Sequence, residues 1–181
     1  MRLRPITAAD HAAVLALNQA HVELLAPLDV PGLVALAGQA DLAHVVEHDG
    51  RFAGFVVTLA PGSPYDSVNY RWFAERYDDF YYLDRIVLAE PFRRLGLGTR
   101  VYDEVEERAR EHGRMALEVN LDPPNEPSLA FHGGRGYVEV GRQESQGHLV
   151  ALLVRELPQH RKGPFGLPTG GGVPTGLRSS G

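Results

Sequence analysis

Cysteine is absent from the 181-residue chain. That excludes a disulfide framework, a thiolate zinc site and a cysteine nucleophile. A basic surplus is also missing: 18 Lys and Arg stand against 23 Asp and Glu, for a formal net charge of −5. Nucleic-acid binders carry a basic face, so no nucleic acid is expected as a partner; the mild acidity suits a cationic or amine-bearing one. No apolar run approaches the roughly 18 residues of a membrane helix. The opening MRLRPITAADH lacks the apolar centre of a signal peptide. A cytoplasmic protein with no membrane partner is the expectation. What is present is 44% apolar residues, enough for one domain with a substantial core.

The chain patterning predicts alternating short elements. Met1 to Ile6 reads as a strand. Thr7 with Asp10 marks a helix start in the manner of a capping box, and Val14, Leu17, Leu24 and Leu25 recur at helical spacing until Pro27. A second helix is expected from Pro31 to Gln39. Strands follow at 42–48 and 51–59, joined by Asp49-Gly50, a strong hairpin signal. Residues 60–78 show no period. A strand is expected over 80–88, a helix over 97–112 stopped by Gly113, and a strand over 115–120. A short helix over 126–135 and strands over 137–141 and 148–155 complete the order βααββ-βαβαββ. The fold class is therefore α/β, with a central mixed sheet flanked by helices. Nothing repeats internally. The domain is expected over 1–157. Residues 158–181, rich in Gly, Pro, Ser and Thr, read as a flexible tail.

The most informative stretch is YYLDRIVLAEPFRRLGLGTRVY. A strand runs through a short turn into an amphipathic helix. Gly96 and Gly98 allow close backbone approach, and the first helical amides point outward with the helix dipole behind them. Arg93 and Arg94 supply fork-shaped cationic donors. Together these fit a diphosphate, although a plain strand-to-helix turn with glycines fits the spacing too. No Gly-Lys-Ser/Thr follows, so the turn is not a Walker loop, and an Arg pair stands where a Rossmann fingerprint has its first glycine.

Arg93-x-x-Gly96-x-Gly98 resembles the Gln/Arg-x-x-Gly-x-Gly/Ala signature of the GCN5-related N-acetyltransferase (GNAT) superfamily. Downstream, Asn125-x-x-Ser128-x-x-Phe131-His132-x-x-x-Gly136-Tyr137 resembles that family's Asn-x-x-Ala-x-x-Leu-Tyr-x-x-x-Gly-Phe segment. The resemblance covers about Met1 to Glu156 in element order and falls within an uncharacterised subgroup. It implies a GNAT-like acyl-CoA N-acyltransferase fold, acetyl-CoA as co-substrate and no metal. It further implies that the pantetheine arm pairs along Ile86, Val87 and Leu88. Arg93, with Arg94 beside it, and the amides of Leu95, Gly96, Leu97, Gly98 and Thr99 then hold the diphosphate. Asn120, Asn125, Ser128 and Phe131 lie by the thiol end.

Acetyl transfer to an amine needs a base for the ammonium and a polarised thioester carbonyl. Asp84 is the first candidate base, because a two-residue strand period places it on one face with Ile86 and Leu88; a structural ion pair is the alternative. Glu118 on the next strand is the second, its alternative being a buried hydrogen-bonded carboxylate. His132 stands where the family carries a tyrosine acid, and it fits either proton donation or packing.

Residues 65–82 hold eight of the fifteen aromatics, including Trp72, the chain's one tryptophan. Tyr70, Trp72, Phe80 and Tyr82 are therefore candidates for a substrate pocket or lid; a satellite cluster or dimer contact fits as well. His44-Val45-Val46-Glu47-His48 matches H-x-x-E-H, but that motif works only on a helix, and on a strand its histidines lie roughly 13 Å apart. No metal site is expected. The chain thus reads as an N-acetyltransferase, monomeric or homodimeric, acting on a small amine or amino-acid-like substrate. Two alternatives are a protein N-terminal or lysine acetyltransferase and a non-catalytic acyl-CoA-binding module.

Overall fold

A computed structural model describes residues 1–158; all but the first residue of the expected tail lies outside them. Seven strands form one sheet in the order β1-β2-β3-β4-β5-β7-β6. They are β1 (Arg2–Pro5), β2 (Leu42–His48), β3 (Arg51–Leu59), β4 (Tyr81–Leu88), β5 (Arg114–Asp122), β6 (Val138–Ser145) and β7 (His148–Glu156). Five α-helices accompany them: α1 (His11–Gln19), α2 (Val30–Gln39), α3 (Val68–Ala74), α4 (Leu97–Ala109) and α5 (Glu126–Gly134). Every strand pairing is antiparallel except β4 with β5. The mixed α/β architecture is the expected one.

Local chemistry accounts for most boundaries. The Asp10 carboxylate accepts from the Thr7 amide at 2.9 Å, the backward reach of a capping box. Asp49 and Gly50 have φ of 50° and 71°, the left-handed pair of a two-residue hairpin turn, and His48 pairs with Arg51. A second such turn, Gln146-Gly147 with φ of 53° and 82°, joins β6 to β7 and extends β6 beyond the expected 141. The aromatic segment without a period holds an unexpected helix, α3, capped where the Ser67 hydroxyl accepts from the Tyr70 amide at 3.3 Å. Helix α1 ends at Gln19, short of the expected Pro27, which leaves 20–29 as a connecting loop.

The core divides by sheet face. Leu97, Val101 and Val105 of α4 pack on Tyr81, Leu83, Met115, Leu117 and Val119. On the other face, Tyr70 and Phe73 of α3 pack on Phe80, Tyr82 and Ala116, and Val14, Leu33 and Leu36 of α1 and α2 pack on Phe55, Val57 and Val87. Strand β4 changes face part-way. Arg85 pairs with Val57 while Leu83 pairs with Thr58, so Asp84 is an extra residue, a bulge. Tyr82 before it faces α3, whereas Ile86 and Leu88 after it pack toward α4. The simple two-residue period thus fails: Asp84 does not share a face with Ile86 and Leu88.

Opposite Leu88, β3 carries Gly54, where an added Cβ would stand 2.1 Å from the Val87 carbonyl oxygen. Gly54→Ala is expected to lower unfolding stability by roughly 1–3 kcal/mol, measured by urea denaturation.

Candidate active site

Strands β4 and β5 touch at two positions only, Tyr81 with Met115 and Tyr82 with Ala116. Beyond these they part, so the β4 edge past Asp84 turns its peptide groups into a gap instead of a ladder. The gap opens into a groove of about 970 Å³, at the upper end of the range for small-ligand sites.

At the α4 end, the groove is lined by Ile86, Leu88, Arg93, Arg94 and Gly98, with Val87 contributing from its backbone side. Arg94 and Gly96 have φ of 60° and 73°, which curls the turn so that successive amides face one way. The first helical hydrogen bond runs from the Arg100 amide to the Gly96 carbonyl at 3.2 Å. The amides of Leu97, Gly98 and Thr99 precede it and have no helical acceptor. Leu97 is otherwise a core residue, 1% exposed, while Leu95 and Thr99 point to solvent. The Arg93 guanidinium donates to the Leu88 carbonyl at 3.1 Å and to the His21 ring.

In the middle of the groove lie Asn120, Asn125, Ser128 and Phe131. Asn120 is 9% exposed and its amide nitrogen has no partner among the described residues, an orphaned donor in a ligand-sized groove. Asn125 caps α5, its side-chain oxygen accepting from the Ser128 amide at 3.2 Å. His132, 4% exposed, lines the groove beside them. Its Nδ1 donates to the Ser128 carbonyl at 2.7 Å, so Nε2 accepts from the Tyr102 hydroxyl at 2.6 Å. Burial holds its pKa below the usual histidine value. A neutral ring with both nitrogens engaged has no proton to give: His132 takes the packing alternative, not the acid role.

At the far end, two carboxylates face the gap from opposite strands. Asp84, 6% exposed, accepts from Tyr65 Oη at 2.6 Å and pairs with Arg85 Nε at 2.9 Å. The bulge brings these sequence neighbours to one side. Arg85 Nη1 also reaches Asn18 Oδ1 at 2.8 Å and the Ala26 carbonyl at 2.9 Å, fastening the loop between α1 and α2. Asp84 is thus the ion pair that was its structural alternative. Glu118 accepts from the buried Tyr82 hydroxyl at 2.5 Å. Burial, then the charge of Asp84, pushes its pKa from 4.5 up to about 7, against opposing hydrogen bonds from Tyr82 and Asn69.

Tyr70, Trp72, Phe80 and Tyr82 do not line the groove. Trp72 packs on Gly141 under the Arg76 guanidinium, Phe80 is 1% exposed in the α3 cluster, and the Tyr70 hydroxyl donates to the Ala60 carbonyl at 2.8 Å. Tyr82 reaches the site through Glu118 alone. The wall comes instead from the 21–27 loop, Tyr65, Asn69 and the β6–β7 turn. Ser67 before an aromatic run was the one local signal of α3; the Arg85–Asn18 contact, 67 residues apart, had none.

The H-x-x-E-H string lies on β2, as its strand reading requires. Among the described residues no group of three or more metal-ligating side chains assembles, and no helix is long and apolar enough to cross a membrane.

The pattern of the Acetyltransferase (GNAT) family matches residues 18–137. The chain belongs to this family. The GNAT chain is 29% identical over 124 residues to the L-2,4-diaminobutyric acid acetyltransferase of Nocardia farcinica, covering 68% of this chain and 52% of that protein. It therefore spans about half the length of that curated relative. Among solved structures, Ard1 from Thermoplasma volcanium superposes with a TM-score of 0.68 at 18% identity, covering 87% of this chain and 98% of that one. Naa50 of Arabidopsis thaliana, in complex with the bisubstrate analogue CoA-Ac-MVNAL, gives 0.64 at 10% identity over 86% and 98%. At these identities the structures establish the GNAT fold.

Replacing Asp84 by Leu leaves the Arg85 guanidinium buried without its carboxylate. Stability is expected to fall by roughly 3–5 kcal/mol in denaturant titration, with a smaller loss for Asp84→Asn.

Proposed function

We propose that this chain transfers an acetyl group from acetyl-CoA to a small amine or amino-acid-like acceptor, with Glu118 as general base. The observation that carries this reading is a half-buried carboxylate with a pKa near 7 at one end of a groove whose other end is an amide-lined, arginine-flanked turn. The family supplies the class of reaction; the L-2,4-diaminobutyric acid of the relative's name is one starting acceptor to assay.

The coenzyme's diphosphate suits the amides of Leu97 to Thr99 with Arg93 beside them, and its extended arm suits the unpaired edge of β4 and the orphaned Asn120 amide. Glu118 takes one proton from the acceptor ammonium. The freed nitrogen attacks the thioester carbonyl carbon, a carbon–nitrogen bond forms and the carbon–sulfur bond breaks. The second nitrogen proton leaves with the thiolate, giving amide and free thiol. This balance needs no dedicated acid, which agrees with a His132 that has no proton to offer. Asp84 is held between Arg85 and Tyr65, from where its charge raises the proton affinity of Glu118.

Two outcomes test the assignment. The rate constant kcat/KM should rise with pH along a limb centred near 7, and Glu118→Gln should lower kcat by about 10²-fold or more. Because the folded Glu118 pKa lies above its unfolded value, the native state binds the extra proton, and stability falls as pH rises from 4.5 through 7. Glu118→Gln should remove that slope in thermal melts; a dead enzyme that keeps it would point to another base. For the coenzyme end, Gly96→Asp forces a side chain into a left-handed position and sets a negative charge by the diphosphate. It and Arg93→Ala are each expected to weaken acetyl-CoA binding about tenfold or more in calorimetric titration, with unchanged affinity overturning the site.

A further inference from the structure

Resting on that reading, we propose that the acceptor is an amine with an apolar body and no carboxylate. The groove is electrically divided along its length. Its positive side chains collect at the turn before α4, as Arg93 and Arg94, while the far end presents Asp84 and Glu118 with the exposed Glu23 at the mouth. Among the described residues lining that far end, the one guanidinium is Arg85. It is 6% exposed and already committed to Asp84, Asn18 and the Ala26 carbonyl. His21 Nδ1 faces the Leu17 carbonyl at 2.9 Å and its other nitrogen accepts from Arg93, while His148 Nδ1 faces the Asp122 carbonyl at 3.3 Å.

Inside the cleft, Asp84 and Glu118 outnumber the one guanidinium, and the exposed Glu23 adds negative charge at the mouth, so the acceptor's ammonium is favoured there. An acid group on the acceptor adds to that excess, and in a half-buried cleft like charges repel strongly. Beyond the reacting nitrogen, one part of the wall is apolar: Val22, Leu24, Leu25, Ala26 and Pro27 come from the loop that Arg85 fastens, while Asn69, Ser145 and Gln146 supply the uncharged polar remainder. Leu24 is 44% exposed there without an assigned contact in the core clusters. A hydrocarbon or aromatic body matches that wall; a second charged group does not.

The test is thiol release by the full chain at saturating acetyl-CoA, with matched acceptors. 3-Methylbutylamine is paired with leucine, 2-phenylethylamine with phenylalanine, and leucinamide keeps the bulk of leucine without its negative charge. 1,3-Diaminopropane supplies an amine with no apolar body. The expected kcat/KM of each amine exceeds that of its amino acid by about tenfold or more, leucinamide ranks with 3-methylbutylamine, and 1,3-diaminopropane trails both apolar amines. Equal rates within the pairs, or amino acids ahead, would overturn the charge argument while leaving the acetyltransferase reading intact. Leucinamide as poor as leucine would assign the discrimination to bulk, and diaminopropane in the lead would overturn the apolar wall. If no acceptor releases thiol although acetyl-CoA binds in titration, the enzymatic reading itself falls, and this one with it.

Discussion

The separation of β4 from β5 after two paired residues is the constraint on which everything else in this fold depends. A parallel pair left unfinished exposes one strand edge inside the sheet, where unpaired peptide groups are costly unless something binds them. The molecule does not close this edge with a bulge of β5 or a covering loop. It leaves a groove lined by the turn before α4, by the loop after α1 and by residues of β4 and β5.

The one-residue bulge at Asp84 gives the groove its two characters. Before it, Tyr82 lies under α3 while Tyr81 and Leu83 pack on α4; after it, Ile86 and Leu88 pack toward α4. The coenzyme side is thus built from apolar strand residues and a cationic turn, the other from carboxylates and tyrosines. The same irregularity turns Asp84 toward Arg85 and leaves Glu118 across the gap with its pKa raised. Two carboxylates in one cleft diverge in role because one has a guanidinium and the other has only hydroxyl and amide donors. Tyr82 and Asn69 restrain the rise in Glu118's proton affinity, and burial with Asp84 drives it.

Elements set by local chemistry were legible in the sequence. The Asp49-Gly50 hairpin, the capping box at Thr7 and Asp10, and the glycines before α4 all rest on residues close together in the chain. The groove residues beside α4 were legible for the same reason, since one turn contributes most of them. The far end of the groove was not. Its parts come from the 21–27 loop, Tyr65, Asn69, Glu118 and the β6–β7 turn, and only tertiary packing brings them together. Aromatic density misled: Tyr70 and Trp72 belong to α3 and cluster with Phe80 on the sheet beneath it, and none of the three lines the groove. The face of Asp84 was misassigned because a strand period cannot reveal an inserted residue. For His132, the residue type alone permitted either role, and only its two occupied nitrogens decide.

Arg85 holds the loop after α1 by the Ala26 carbonyl, a group that every amino acid carries. The clamp therefore makes no direct demand on the side chains at 22 to 24, although those side chains line the groove. Anchoring by backbone separates what keeps the loop in place from what the loop discriminates. Loop letters on such a scaffold can change while the sheet, the turn before α4 and the carboxylates across the gap remain as they are.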